Sequence, residues 1–256
     1  MREGEPSVTV TTTSVAVANE DVSWDDFDSD FYYRHNYDKL RDDDSRIIKI
    51  VADFFERARP RRWPSMAIDV GSGTNLYPAL TMLPYSSRVS LIEPAFNNRQ
   101  WLSDALHAPQ ESWDDFWTAI ADGRPEYKIF ANPFDVLADR AVVRKGNVFS
   151  LEPDLFDIGT MFFVAESITT RDDEFRRATR QFVRSLKPWA PFAAAFMRDS
   201  AGYLVGERFF PACSVDEKDI EACLAPVARI DQIKTVDSHD LRDGYCGMIV
   251  ATGWKR

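Results

Sequence analysis

The segment Ile68-Asp69-Val70-Gly71-Ser72-Gly73 joins a short apolar run to a glycine turn, and Glu93 follows Gly71 by 22 residues at the end of the next apolar run. A buried strand that feeds such a turn and opens a helix lets a ligand lie on the main chain, because glycine tolerates the backbone angles and carries no Cβ. A carboxylate one strand further on can accept hydrogen bonds from both hydroxyls of a ribose. The chemistry implied is the holding of an adenosine-bearing cofactor. A dinucleotide needs a third glycine so that its diphosphate can sit on the helix start, and Leu76 occupies that place. No Gly-Lys-Ser/Thr follows, which excludes a P-loop, and Asp69, which precedes the glycines, suits a cationic amino-acid and sulfonium group better than a diphosphate.

Two other places carry reactive types. Phe31-Tyr32-Tyr33-Arg34-His35-Asn36-Tyr37 is dense in rings that can hold a cation by their faces, and His35 and Asn36 break any simple core pattern. Glu166 stands at the end of the apolar run Phe156 to Val164. At the carboxyl edge of a parallel sheet, a half-buried acid has a raised pKa and can take a proton from a nitrogen or a water. His239, with Asp240 and Asp243 nearby, is a second candidate base in a terminal loop. The acid run Asp42-Asp43-Asp44 reads as a helix-start cap rather than a metal site. Cys213, Cys223 and Cys246 form no CxxC pair, so no metal site is indicated and a reducing cytoplasm is the expected home.

Strands and helices must bring these residues together. An amphipathic helix runs through Ile47, Ile48, Val51, Phe54 and Phe55 and stops near Arg59-Pro60. Strands are expected at Met66–Val70, Val89–Glu93, Ala141–Arg144, Phe156–Val164 and Phe192–Met197, with helices around Leu76–Leu83, Asn98–Leu106 and Asp172–Leu186. The tail adds a helix near Asp216–Leu224 and two strands, Val227–Val236 and Cys246–Thr252. This alternation predicts an α/β fold with a Rossmann-like, mostly parallel seven-stranded sheet, helices on both faces and an antiparallel excursion at the C-terminal edge. Residues 1–22 read as a flexible N-terminal arm, 23–256 as one domain with an N-terminal cap over 23–62, and 107–140 as an aromatic insertion that suits a flat substrate or forms core. The net charge of −10 argues against nucleic acid, and no apolar run is long enough for a membrane span.

From Trp24 onward the chain resembles the nicotinamide / phenylethanolamine / indolethylamine N-methyltransferases. The likeness rests on five segments in order: Phe27 to Tyr37, Ile68 to Tyr77, Asn98-Arg99-Gln100-Trp101-Leu102, Phe162-Phe163-Val164-Ala165-Glu166, and Tyr203-Leu204-Val205-Gly206-Glu207. The resemblance implies S-adenosylmethionine as cofactor and a small-molecule methyl acceptor. It further implies that Tyr32, Asn36 and Tyr37 lie over the cofactor, and that Gly71, Ser72, Gly73, Asn75 and Tyr77 hold its amino-acid end. Glu93, Pro94 and Asn98 would meet ribose and adenine, Asn147 and Val148 the adenine edge, and Phe162 and Phe163 the methionine portion. Trp24, Phe163, Glu166, Ser200, Tyr203 and Asp243 would line the substrate side, with Glu166 and His239 as candidate bases. Glu93 and Asn147 replace the family's usual aspartates, and Trp189-Ala190-Pro191 follows Pro188 where the family has glycines. Methyl transfer to a nitrogen or an electron-rich aromatic carbon is the activity expected. The competing classes are a non-catalytic cofactor-binding partner and a nicotinamide-dependent oxidoreductase.

Overall fold

The computed structural model describes residues 16–58, 65–237 and 247–256. Helix α1 (Ser29–Asn36) and α2 (Asp42–Ala58) precede strand β1 (Met66–Val70); α3 (Tyr77–Met82), β2 (Arg88–Glu93) and α4 (Phe96–His107) follow. The chain continues through α5 (Ser112–Ala121), α6 (Pro133–Arg140), β3 (Ala141–Lys145), β4 (Ile158–Phe162), α7 (Asp172–Ser185) and β5 (Pro191–Met197). A hairpin, β6 (Tyr203–Val205) and β7 (Arg208–Phe210), then leads to α8 (Glu217–Leu224), β8 (Ala228–Val236) and β9 (Met248–Lys255). Seven strands form one sheet in the order β3-β2-β1-β4-β5-β9-β8, and β6 and β7 pair separately. Strands β1 to β5 pair in parallel; β9 runs antiparallel between β5 and β8, the excursion that two final strands without a helix between them require. Among the described residues no helix is long and apolar enough to cross a membrane.

Strand alternation divides the core. Ala193 and Ala195 face the layer built from α2 to α6, whereas Phe192, Ala194 and Phe196 face α7 and α8. On α2, Ile47, Ile48, Val51, Phe54 and Phe55 are buried along one stripe. On α7 the first turn holds Asp172, Asp173 and Glu174, which complement the helix dipole, before Phe175, Ala178, Phe182 and Val183 go inward.

One expectation changes, and one open alternative is decided. Residues 16–22, assigned to a mobile arm, are stitched to the body. Thr170 N donates to Val17 O (3.0 Å), Asn19 N to Glu174 Oε2 (2.8 Å), and Asn147 Nδ2 to Asn19 Oδ1 (2.8 Å). Hydrogen bonds concentrated at Val17 and Asn19, with Ala18 buried between them, hold this strap, so no hydrophobic period announces it. Residues 1–15 lie outside the described residues. The 107–140 insertion forms α5 and α6, and its Trp113, Phe116 and Tyr127 are fully buried core rather than a wall for substrate.

Candidate active site

The turn after β1 closes against β2 and β4. Gly71 N and Ser72 N both donate to Ile92 O (2.7 and 3.3 Å), and Gly71 and Gly73 adopt φ of +66° and +54°. A Cβ at Gly71 would lie 2.5 Å from Val164 Cγ2, so close packing on the β4 end, as well as φ, demands glycine there. Glu93 is buried at the end of β2: Oε2 accepts from Gly73 N (2.9 Å), Oε1 from Ala95 N (2.9 Å), and Asn98 from α4 also bonds the carboxylate. Burial raises its pKa, and these donors oppose that rise. Asp69 sits beneath the turn. Its Oδ1 accepts from Thr160 Oγ1 (2.7 Å), Oδ2 has no partner, and burial pushes its carboxyl up to about 7.

Above the turn lies a cavity of about 600 Å³ lined by Gly71 to Asn75, Glu93, Pro94, Asn98, Phe162, Phe163, Trp24, Tyr32, Tyr37 and Tyr203, among others. A second cavity, of about 500 Å³, adjoins it, lined by Asn36, Arg41, Asp44, Met197 and Met248 together with Tyr32, Tyr37, Phe163, Ser167 and Tyr203. Those last five residues line both cavities. Phe163, on this shared wall, takes φ of +59°, a left-handed conformation that costs a non-glycine residue about 1–2 kcal/mol. Its N–H donates to Ala195 O (2.7 Å), which holds it in place at the carboxyl edge of the sheet.

An aromatic cluster roofs the first cavity. Trp24 and Tyr203 each stack on Phe210 at 5.6 Å, Phe27 meets Tyr32 at 5.0 Å, and Tyr32 meets Tyr203 edge-on at 6.5 Å. The N-terminal segment and the β6–β7 hairpin thus meet over the glycine turn. Tyr203 was expected at the site, but the hairpin that carries it was not. Its signal was Gly206-Glu207, a two-residue turn between Val205 and Arg208, with Gly206 at φ +59°.

The structure brings Trp24, Tyr32, Tyr37, Gly71, Ser72, Gly73, Asn75, Glu93, Pro94, Asn98, Phe162, Phe163 and Tyr203 around the first cavity. Asn36 lines the second cavity, and Trp24, expected on the substrate side, lines only the first. Five other expected residues line neither. Tyr77 is fully buried, stacked on Phe116 at 5.6 Å, and backs the wall through Tyr37. Asn147 spends its amide on Asn19 and its Oδ1 on Phe149 N, and Val148 packs into the core. Ser200 is buried in a turn, where its Oγ accepts from Gly202 N (3.3 Å).

Glu166 is the main correction. It is 0% exposed; its Oε1 turns back to accept from Met197 N (2.9 Å) and Ser167 Oγ (3.1 Å), while its Oε2 is buried without a partner. Burial pushes its carboxyl up to about 7, against those donors. The acid ties the end of β5 to the loop after β4, because that edge leaves the Met197 N–H in need of an acceptor. His239 and Asp243 lie outside the described residues.

Sequence reasoning missed Asp44. Read as a cap, it is 4% exposed and lines the second cavity. The available signal was its phase: it lies on the stripe that continues through Ile47, Ile48 and Val51.

Polar atoms in and under the first cavity await a ligand. Thr74 Oγ1 and Trp24 Nε1 are buried without partners on its wall. With the glycine main chain, the Glu93 carboxylate and the aromatic roof, this set fits a cationic nucleoside cofactor.

No protein-family model matches the chain, and no curated protein matches it. Solved structures do match in fold. A SAM-dependent methyltransferase from Methanosarcina mazei is 16% identical with a TM-score of 0.55, over 76% of this chain and 93% of that one. Magnesium protoporphyrin IX methyltransferase from Synechocystis PCC 6803, with bound SAM, is 10% identical with a TM-score of 0.55, over 89% and 90%. The cyclase SpnF is 17% identical with a TM-score of 0.52, over 82% and 80%. The chain has the fold of the class I S-adenosylmethionine-dependent methyltransferases.

Proposed function

We propose that this protein is an S-adenosylmethionine-dependent methyltransferase that acts on a nitrogen or an electron-rich aromatic carbon of a small amine- or indole-type metabolite. The observation that carries the proposal is the pair of adjoining cavities at the carboxyl edge of the sheet, with Tyr32, Tyr37, Phe163, Ser167 and Tyr203 as their common wall. The first has the glycine turn and ribose-type acid of a nucleoside site, and the second is roofed and lined by rings and methionines. The resemblance to the nicotinamide / phenylethanolamine / indolethylamine N-methyltransferases supports the same acceptor class.

When bound, S-adenosylmethionine supplies a methyl group on a positively charged sulfur. Glu93 would hold the ribose, and the main chain of Gly71 to Gly73 the amino-acid end. Tyr32, Tyr37 and Phe163 present ring faces that stabilise positive charge where the cavities meet. Trp24, Phe27 and Phe210 exclude water above them. The protein's contribution is alignment of two reactants, which brings most of the rate in a displacement of this kind.

Calorimetric titration with S-adenosylhomocysteine and, separately, with NADH tests the cofactor. Micromolar binding of the former alone, weakened by Glu93→Ala and Tyr37→Phe, is the expected result. Binding that ignores Glu93 refutes it. The fold likeness to a cyclase supports a second possibility, a cofactor-binding protein whose reaction is not methyl transfer. Incubation with labelled methyl donor and a panel of amines and indoles separates the two.

A further inference from the structure

Three acids open α2, and they do different things. Asp42 is exposed and pairs with Arg46 one turn on, as a helix-start acid should. Asp43 is buried, and its Oδ1 accepts from Asp44 N (2.8 Å). Asp44 points elsewhere. It falls on the buried stripe of the helix and contributes to the wall of the second cavity, where rings and methionines (Tyr32, Tyr37, Phe163, Met197, Tyr203, Met248) are joined by Arg41, Asn36 and Ser167. From α3, the fully buried Tyr77 hydroxyl faces the Asp44 carboxyl, with Asn75 also beside it.

A carboxylate in such a place is costly unless a donor completes it. Burial, reinforced by Asp43, pushes the Asp44 carboxyl up to about 7, while Tyr77 and Arg41 act in the opposite direction. The partial positive charge of the α2 N-terminus also favours its ionised form. The group is therefore part-ionised near neutral pH. The acid that family resemblance pointed to, Glu166, accepts from Met197 and Ser167 through Oε1, leaves Oε2 buried without a partner, and lines neither cavity.

On the methyltransferase reading above, we propose that Asp44 is the residue that recognises the acceptor, taking the protonated nitrogen of an amine whose apolar body lies among the rings and methionines of the second cavity. The pairing gives the carboxylate a cationic partner in addition to Tyr77 and Arg41, and gives the ammonium a counter-charge in a cavity whose other walls are mainly rings and methionines. It also makes the acceptor class a matter of charge: an amine is selected over its neutral isostere. Tyr77 adds a hydroxyl that orients the carboxyl from behind.

The test is calorimetry on the full chain saturated with S-adenosylhomocysteine. The probes are tryptamine and phenethylamine, each with its neutral analogue, 3-ethylindole and ethylbenzene. At least one amine should bind ten or more times more tightly than its analogue at pH 8. Asp44→Asn should abolish that preference while S-adenosylhomocysteine affinity stays within twofold, and Glu166→Gln should leave the preference intact. Tyr77→Phe should weaken amine binding severalfold. Equal affinity for amine and analogue, no binding of either amine, or an Asp44→Asn variant that binds amine like the wild type overturns the assignment. The amine-against-analogue comparison uses the unaltered protein, so it stands even if a variant does not fold. Failure of S-adenosylhomocysteine to bind strikes the methyltransferase reading itself, whereas its binding without amine preference strikes only Asp44.

Discussion

Gly71→Ala and Gly73→Ala look alike in sequence and should differ sharply in stability. Both residues sit in the left-handed region, so an alanine at either costs about 1–2 kcal/mol in backbone strain. At Gly73 that is the whole cost, since a new Cβ meets nothing nearer than Gly71 O at 3.8 Å. At Gly71 the Cβ would lie 2.5 and 2.8 Å from the two γ-methyls of Val164, and 3.3 Å from its Cβ. Rotation of Val164 about χ1 cannot clear both methyls, so the β4 end or the turn must move, at an overpacking cost of about 1–3 kcal/mol. Equilibrium urea unfolding of the ligand-free protein should therefore place Gly71→Ala about 2–5 kcal/mol below the wild type and Gly73→Ala about 1–2 kcal/mol below. Val164→Ala should partly rescue Gly71→Ala in a double-mutant cycle, with a coupling of about 1 kcal/mol or more. Equal losses at the two glycines, or additive behaviour with Val164, would refute close packing as the reason for glycine at 71.

Two further perturbations probe the acids and the roof. Burial raises the Glu166 carboxyl from its ordinary value to about 7, so between those values the folded chain holds a proton that the unfolded chain has lost. This group's contribution to stability falls as pH rises through that window and levels off above it. Glu166→Gln removes the titration and should gain stability relative to the wild type between pH 5 and pH 8, as followed by thermal unfolding; parallel curves would mean Glu166 is not the buried acid described. Trp24→Ala removes the stack on Phe210 and should weaken S-adenosylhomocysteine binding about tenfold, near the upper end of what an aromatic pair contributes, chiefly through faster dissociation in stopped flow. An unchanged dissociation rate would show that the roof does not close on that ligand.

The sheet was legible because its signals are local. Apolar runs at 66–70, 89–93 and 192–197 are long enough to bury, turns separate them, and α2 and α7 show their inward stripes in the spacing of their apolar residues. The glycine turn and Glu93 were legible for the same reason, since strand, turn and next strand end fix their neighbourhood within about one βαβ unit. The β6–β7 hairpin was not, because three-residue strands are too short for a period to show. The strap at 16–22 was hidden too, its attachment resting on scattered hydrogen bonds to Thr169, Thr170, Glu174 and Asn147.

What the residues determined on their own was the type of fold and the place of a nucleoside site, both set by patterns within a few dozen residues. Which acid meets the second cavity was decided only in three dimensions. Glu166 and Asp44 are both carboxylates near element ends; the helical phase of Asp44 marks it as inward-facing, but nothing in the sequence tells which of the two acids reaches the cavity. The parallel edge leaves the Met197 N–H unpaired beside Glu166 and draws that carboxylate away from the cavity. The phase of α2 against the sheet leaves Asp44 with the cavity before it and the Tyr77 hydroxyl behind. Direction of this kind comes from how elements pack on one another, because a side chain's partners in a core come from segments far apart along the chain.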